Sequence, residues 1–144
     1  MISFEIIRYP DEETTSSDQG DLVFNFDNKV IYTNTGKHFG GMIYISICDL
    51  IYELMKNNKN YEFVFANNGN FILNFQSSNK DSVNVFYKRE KVGSYPKAEI
   101  LSAIYKGIRN FLSIKENNLP KEDVMHEYFY DKIKDLDSFL AKGR

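Results

Sequence analysis

The sequence predicts a single α+β domain over residues 1–144: an antiparallel sheet of five to six strands, with one short helix near 46–56 and two C-terminal helices packed on one face. Three observations carry this. Residues 61–88 alternate apolar and polar side chains in three runs separated by turn residues, the pattern of a three-stranded meander. Elsewhere the apolar spacing becomes helical, at Ile47, Leu50, Ile51, Leu54 and Met55 and again beyond Pro96. At 144 residues, with 42% apolar and 15% aromatic content, the chain can bury a core and is too apolar for disorder.

Taken in order, residues 2–9 read as a first strand closed by Pro10, too short and polar for a signal peptide. Residues 10–20 form an acidic loop rich in Thr, Ser and Asp. Residues 21–26 and 29–33 are strands joined at Asp27-Asn28, a good hairpin turn. A glycine-punctuated loop, 36–41, leads to the first helix, where Ser46 and Asp49 resemble a capping box. Residues 42–45 fit either its lead-in or a short strand.

Within the meander, side-chain parity puts Tyr61, Phe63 and Phe65 on one face, with Phe71, Leu73 and Phe75, then Val83, Val85 and Tyr87, beside them. A turn at Asn68-Gly69 would split these aromatics between faces. A three-residue loop, Asn67-Asn68-Gly69, keeps them together by pairing Phe65 with Phe71, Phe63 with Leu73 and Tyr61 with Phe75, and asks for a positive φ at Gly69. The opposite face carries Glu62, Val64, Ile72, Asn74, Asn84 and Phe86, mixed enough to meet solvent or a partner. Residues 88–96 read as a basic loop. Pro96 then opens a helix with Ile100, Leu101, Ile104, Tyr105, Ile108, Phe111 and Leu112 on a broad face, and Gly107 permits close approach. Asn117-Asn118 stops it, and Pro120 starts a last helix reaching about residue 142, striped by Met125, Tyr128, Phe129, Ile133, Leu136 and Leu140.

The net charge is −2, unevenly spread: residues 1–75 hold ten acidic against five basic side chains, residues 76–144 ten against thirteen. Asp11, Glu12, Glu13, Asp18 and Asp21 share a stretch with no basic residue, and Asp123, Glu127, Asp131 and Asp135 recur every fourth residue along the last helix. Like charges at that spacing cost a helix about 0.2–0.5 kcal/mol per pair, and Lys132 and Lys134 dilute the effect. The ordinary reading is a solvated face; the functional one is an acidic strip that steers the chain onto a basic protein surface.

Residues able to carry chemistry are few. His126-Glu127 is followed by Tyr130 where a zinc-protease helix needs its second histidine. His38 has no neighbouring Cys or His, so no metal or other cofactor is expected. Cys48 stands alone, which excludes an internal disulfide and fits a reducing cytoplasm. As a nucleophile it would need a histidine base brought close by folding, and a small, partly buried residue is the plainer reading. Gly36, Gly40 and Gly41 could cradle a phosphate before a helix but lack the P-loop spacing and its Lys-Ser/Thr ending. The strand aromatics follow core alternation, so no nucleic acid is expected, and no apolar run approaches the ~18 residues of a membrane span.

The strand Gly20-Asp21-Leu22-Val23-Phe24, the approach Phe39-Gly40-Gly41 to the helix around Asp49-Leu50-Ile51, the strand Phe71-Ile72-Leu73-Asn74-Phe75 and the terminal helices together resemble small bacterial toxin-immunity proteins of contact-dependent inhibition and other polymorphic toxin systems. The resemblance implies a cytoplasmic, non-enzymatic protein that binds and neutralises a cognate toxin, often a nuclease with a basic active site. Asp11, Glu12, Glu13, Asp18, Asp123, Glu127, Asp131 and Asp135 are the candidate partner-binding residues, chosen by charge. The alternatives from other classes are a small enzyme using Cys48 or His38 and a nucleic-acid-binding module.

Overall fold

The computed structural model describes residues 1–36, 40–56, 59–79 and 81–142. It has the expected α+β class, with antiparallel strands, one helix near the middle and two at the C-terminal end. The strands are divided between two sheets of four. In the first, β1 (Ile2–Arg8), β2 (Gln19–Phe26) and β3 (Lys29–Tyr32) lie in that order, and the two-residue β4 (Gly41–Met42) also pairs with β2. After helix α1 (Ile43–Met55) come β5 (Asn60–Phe65), β6 (Asn68–Ser77), β7 (Ser82–Tyr87) and β8 (Glu90–Pro96), the second sheet in sequential order. Helix α2 (Lys97–Leu112), a 3-10 turn (Lys115–Asn117) and helix α3 (His126–Lys142) complete the described chain.

The meander forms with its aromatic face buried, and Phe63 pairs with Leu73 and Tyr61 with Phe75 as parity requires. The loop chemistry differs from expectation. Phe65 pairs with Asn68, and the register then shifts by a bulge so that Val64 meets Ile72. The left-handed residue is Asn67, at φ 67°, and Gly69 lies in the bulge outside the positive-φ region. Asparagine tolerates that conformation well enough to take the position from glycine. Asp27 and Asn28 are both left-handed, as a tight hairpin demands. The segment 88–96, expected to be a basic loop, is mostly strand. Val92 and Tyr95 turn inward, and a bulge opposite Val85 and Phe86 hides their period-two signal by placing two apolar residues three apart.

The helices also begin elsewhere than their local signals imply. Ser46 is no cap: α1 starts three residues earlier, and the Ser46 hydroxyl accepts the Ala66 N–H at 3.0 Å from inside the helix. The Met42 N–H donates to the Ala66 carbonyl at 2.8 Å, so the β5–β6 turn sits on the opening of α1. Helix α2 stops at Leu112, short of Asn117-Asn118. Helix α3 starts at His126, because residues 120–125 turn through successive backbone bonds first, Asp123 N–H to Pro120 O and His126 N–H to Asp123 O.

Two rings organise the interior. The ring of Phe24 lies 5.0 Å from Phe4 and 6.3 Å from Phe63, which joins the inner faces of the two sheets. Tyr44, fully buried, sits edge-on to Phe129 at 5.2 Å and 5.9 Å from Phe111, which joins the three helices. Helix α2 closes on β1 at Gly107, where an added Cβ would run into the Phe4 carbonyl oxygen and lie 2.9 Å from its ring. The outer face of the second sheet keeps Glu62 and Val64 exposed, with Ile72, Asn74, Asn84 and Phe86 half-buried.

Gly107→Ala is expected to lower the urea-unfolding free energy by about 1–3 kcal/mol, as other overpacked contacts do. Gly69→Ala, with open space around the site, should leave it unchanged or slightly raised.

Candidate protein-docking surface

The acidic stretch that runs from the β1–β2 loop into the start of β2 divides into an outer and an inner part. Asp11, Glu12 and Glu13 are exposed, whereas Asp18 and Asp21 are 7% and 1% exposed. A buried carboxylate needs donors, and each of these has them. Asp18 takes the Arg8 guanidinium at 3.1 Å, the Thr15 N–H at 3.1 Å and the Thr15 hydroxyl at 3.2 Å. Arg8 also donates through Nε to the Asn117 side-chain oxygen at 3.1 Å, and the Tyr44 hydroxyl donates to the Asn117 carbonyl at 2.6 Å. Asp21 accepts from the Tyr9 hydroxyl, from Thr33 Oγ1 at 2.7 Å and from the Gly40 N–H at 3.2 Å. Burial, and then this bond to Asp21, push the Tyr9 phenol well above its usual range.

Asp18 is therefore removed from the candidate surface, because its charge is spent inside the fold. Its neutralising partner lies just upstream of the acidic stretch, at the far end of β1, where Arg8 pairs with Gly20 across the sheet. The fold places Asp18 two residues before that pair.

Asp123 precedes α3 instead of riding on it. One carboxylate oxygen accepts the Ser16 N–H and the other the Met125 N–H, both at 2.9 Å. Partial burial works to raise its pKa, but the bonds from Met125 and Ser16, aided by the nearby His126, outweigh that and hold it below the usual carboxylate value. Asp123 fastens the acidic loop to the start of α3 and is half-buried.

Glu127, Asp131 and Asp135 are exposed on successive turns of α3, as their spacing predicts. Lys132 reaches within 4.0 Å of the exposed Asp135 carboxylate, a long contact of small worth. Beside the acids stands an ordered group that charge alone did not reveal. The Lys132 ammonium lies 4.6 Å from the Tyr52 ring centre and 5.4 Å from that of Tyr128, and Lys56 covers Tyr52 at 3.8 Å. Tyr52 and Tyr128 remain 41% and 44% exposed. The signal for this group is in the sequence, Tyr and Lys four apart at the end of α1 and within α3, but only packing brings the two helices together. Val124 and Phe139 extend the exposed apolar surface of this segment. Half-exposed tyrosines held rigid by neighbours are typical anchors of protein interfaces.

The residues considered for chemistry are placed differently. Cys48 is fully buried on α1, and desolvation, with a smaller push from Asp49, drives its thiol up to about 12. His126 packs against Tyr130 at 4.6 Å, the residue that stands where a second zinc-binding histidine would be. His38, with Lys37 and Phe39, lies outside the described residues. The phosphate cradle finds its backbone donors engaged: Gly40 N–H on Asp21, Met42 N–H on Ala66 and Ile43 N–H on the Asp18 carbonyl at 3.4 Å. Among the described residues, no group of three or more His, Cys, Asp and Glu could hold a metal ion. No described helix is long and apolar enough to cross a membrane.

Arg8→Ala leaves Asp18 buried without its cation and should cost about 3–5 kcal/mol in denaturant unfolding. Because the folded-state pKa of Asp123 is depressed, its contribution is present above the unfolded value, about 3.9, and is lost as pH falls through the folded value. Asp123→Asn should thus destabilise the protein at pH 7, and the gap from wild type should shrink in unfolding curves taken at progressively lower pH. A thiol reagent should modify Cys48 at the rate of unfolding in native buffer, and at once in denaturant.

Comparison of the chain with protein-family models, with curated proteins and with solved structures returns no match.

Proposed function

We propose that this chain binds a protein partner and blocks it stoichiometrically, as an immunity protein neutralising a cognate bacterial toxin in the cytoplasm. The observation that carries the reading is the α3 surface, where Glu127, Asp131 and Asp135 stand exposed beside half-exposed Tyr52 and Tyr128. Carboxylates on successive turns supply a field that draws a basic surface, and the tyrosines supply apolar contact area at small entropic cost. Asp11, Glu12 and Glu13 add exposed acid on the β1–β2 loop, which Asp123 ties to the start of α3 through Ser16. The exposed carboxylates are thus gathered on neighbouring segments. The reading draws further support from the resemblance to toxin-immunity proteins that the strand and helix pattern carries.

The reading predicts that a neighbouring reading frame ends in a toxin domain, and the test pairs this chain with that domain. Co-expression should restore growth, and the purified pair should form a one-to-one complex. Glu127→Lys with Asp131→Lys should slow association about tenfold at low salt and flatten its salt dependence. Tyr128→Ala should act mainly on dissociation. Growth that is not restored would end the immunity reading; full-speed association by the charge-reversed protein would remove α3 from it.

A further inference from the structure

The β7–β8 turn is unlike the other tight turns among the described residues. Tyr87 and Glu90 close it, and its two central residues, Lys88 and Arg89, have φ of 52° and 69°. A hairpin turn with both central residues left-handed is built for Asn-Gly or Asp-Gly, and other L residues are strained there. The chain follows that chemistry elsewhere: Asp27 and Asn28 hold the β2–β3 turn, and Asn67 takes the left-handed position before β6. Among the described residues, only at 88–89 do two long cations sit in these positions, so turn stability does not account for them.

Their surroundings point to a use. Lys88, Arg89 and Lys91 are exposed, and none appears in an ion pair among the described residues. The Lys88 ammonium lies 5.4 Å from the Tyr87 ring centre, and Lys29 adds a further cation by donating to the Val92 carbonyl at 2.7 Å. Glu90 alone opposes them within the hairpin. On the outer sheet face, Phe86 pairs with Lys91, and exposed Val64 pairs with half-buried Ile72 on the adjoining strands. Strain kept at a charged, exposed turn is expected where the charges are used.

We propose that Lys88, Arg89 and Lys91, with Phe86, form a binding site for an acidic, partly apolar segment of a partner protein. Charge complementarity selects the acidic residues, and the Phe86, Ile72 and Val64 side chains select apolar ones between them. A single-stranded nucleic acid would call for several exposed rings to stack on, whereas Phe86 is half-buried and Tyr87 packs inward on Phe71 at 5.6 Å. The site shares no residue with the α3 surface and does not rest on the proposed function.

The probe is a fluorescein-labelled peptide of alternating Glu and Leu, followed by anisotropy, with its Gln-for-Glu counterpart and a short oligothymidylate as comparisons. Wild type should bind the Glu peptide, bind the Gln peptide far more weakly and bind the oligonucleotide less well than the Glu peptide. Lys88→Asn with Arg89→Gly should melt higher yet bind the Glu peptide about tenfold more weakly, since it relaxes the turn and removes the cations. Lys106→Gln with Lys115→Gln removes the same charge from other exposed positions and should change binding less than about twofold. Equal losses in the two variants, a turn variant that melts no higher, no binding of the Glu peptide, or tighter binding of the oligonucleotide would each overturn the proposal.

Discussion

The structure depends on one guanidinium. Arg8 leaves the end of β1 with its side chain only 9% exposed, and a buried cation without partners would be costly enough to open the fold. Asp18 and Asn117 meet it from opposite parts of the sequence, one from the loop before β2 and one from the turn after α2. Asn117 also binds the Phe111 carbonyl through its amide at 2.9 Å and receives the Tyr44 hydroxyl on its backbone oxygen. The first strand, the acidic loop, the central helix and the C-terminal segment are thereby tied at one buried point. Such a group contributes less net stability than the equivalent apolar packing, but it admits few alternative arrangements.

That tie explains why the acidic stretch is not a uniform surface. Its inner members, Asp18 and Asp21, are engaged by donors from the end of β1, the residue after β3 and the loop before α1, and only Asp11, Glu12 and Glu13 face outward. The fixed loop in turn holds α3 in place, because Ser16 donates to Asp123 and Thr14 to the Glu116 carbonyl. The outer carboxylates of α3 therefore stand on a support built from the inner ones. Acids that look alike in sequence serve here as internal struts in one case and as surface charge in the other.

Two rims of opposite character result. The α1–α3 side combines acids with Lys132 lodged between two tyrosine rings, and the β7–β8 tip carries cations on a strained turn. Between the inner faces of the two sheets, the rings of Phe24, Phe63 and Phe71 meet and hold the sheets together.

The sequence by itself determined the class, the buried face of the meander and the exposure of Glu127, Asp131 and Asp135, because side-chain parity and the helical repeat are local and periodic. It also located the close approach at Gly107, though not its partner, which proved to be β1. Local signals misled at three places. Ser46 resembled a cap until Ala66 claimed its hydroxyl, Gly69 resembled a left-handed turn residue until Asn67 took that role, and β8 stayed hidden because a bulge broke its alternation. The division into two sheets, the burial of Asp18 and the meeting of Tyr52 with Lys132 were decided by tertiary structure alone. Strand partners, charge neutralisation and helix neighbours join residues far apart in the chain, and no local period records them.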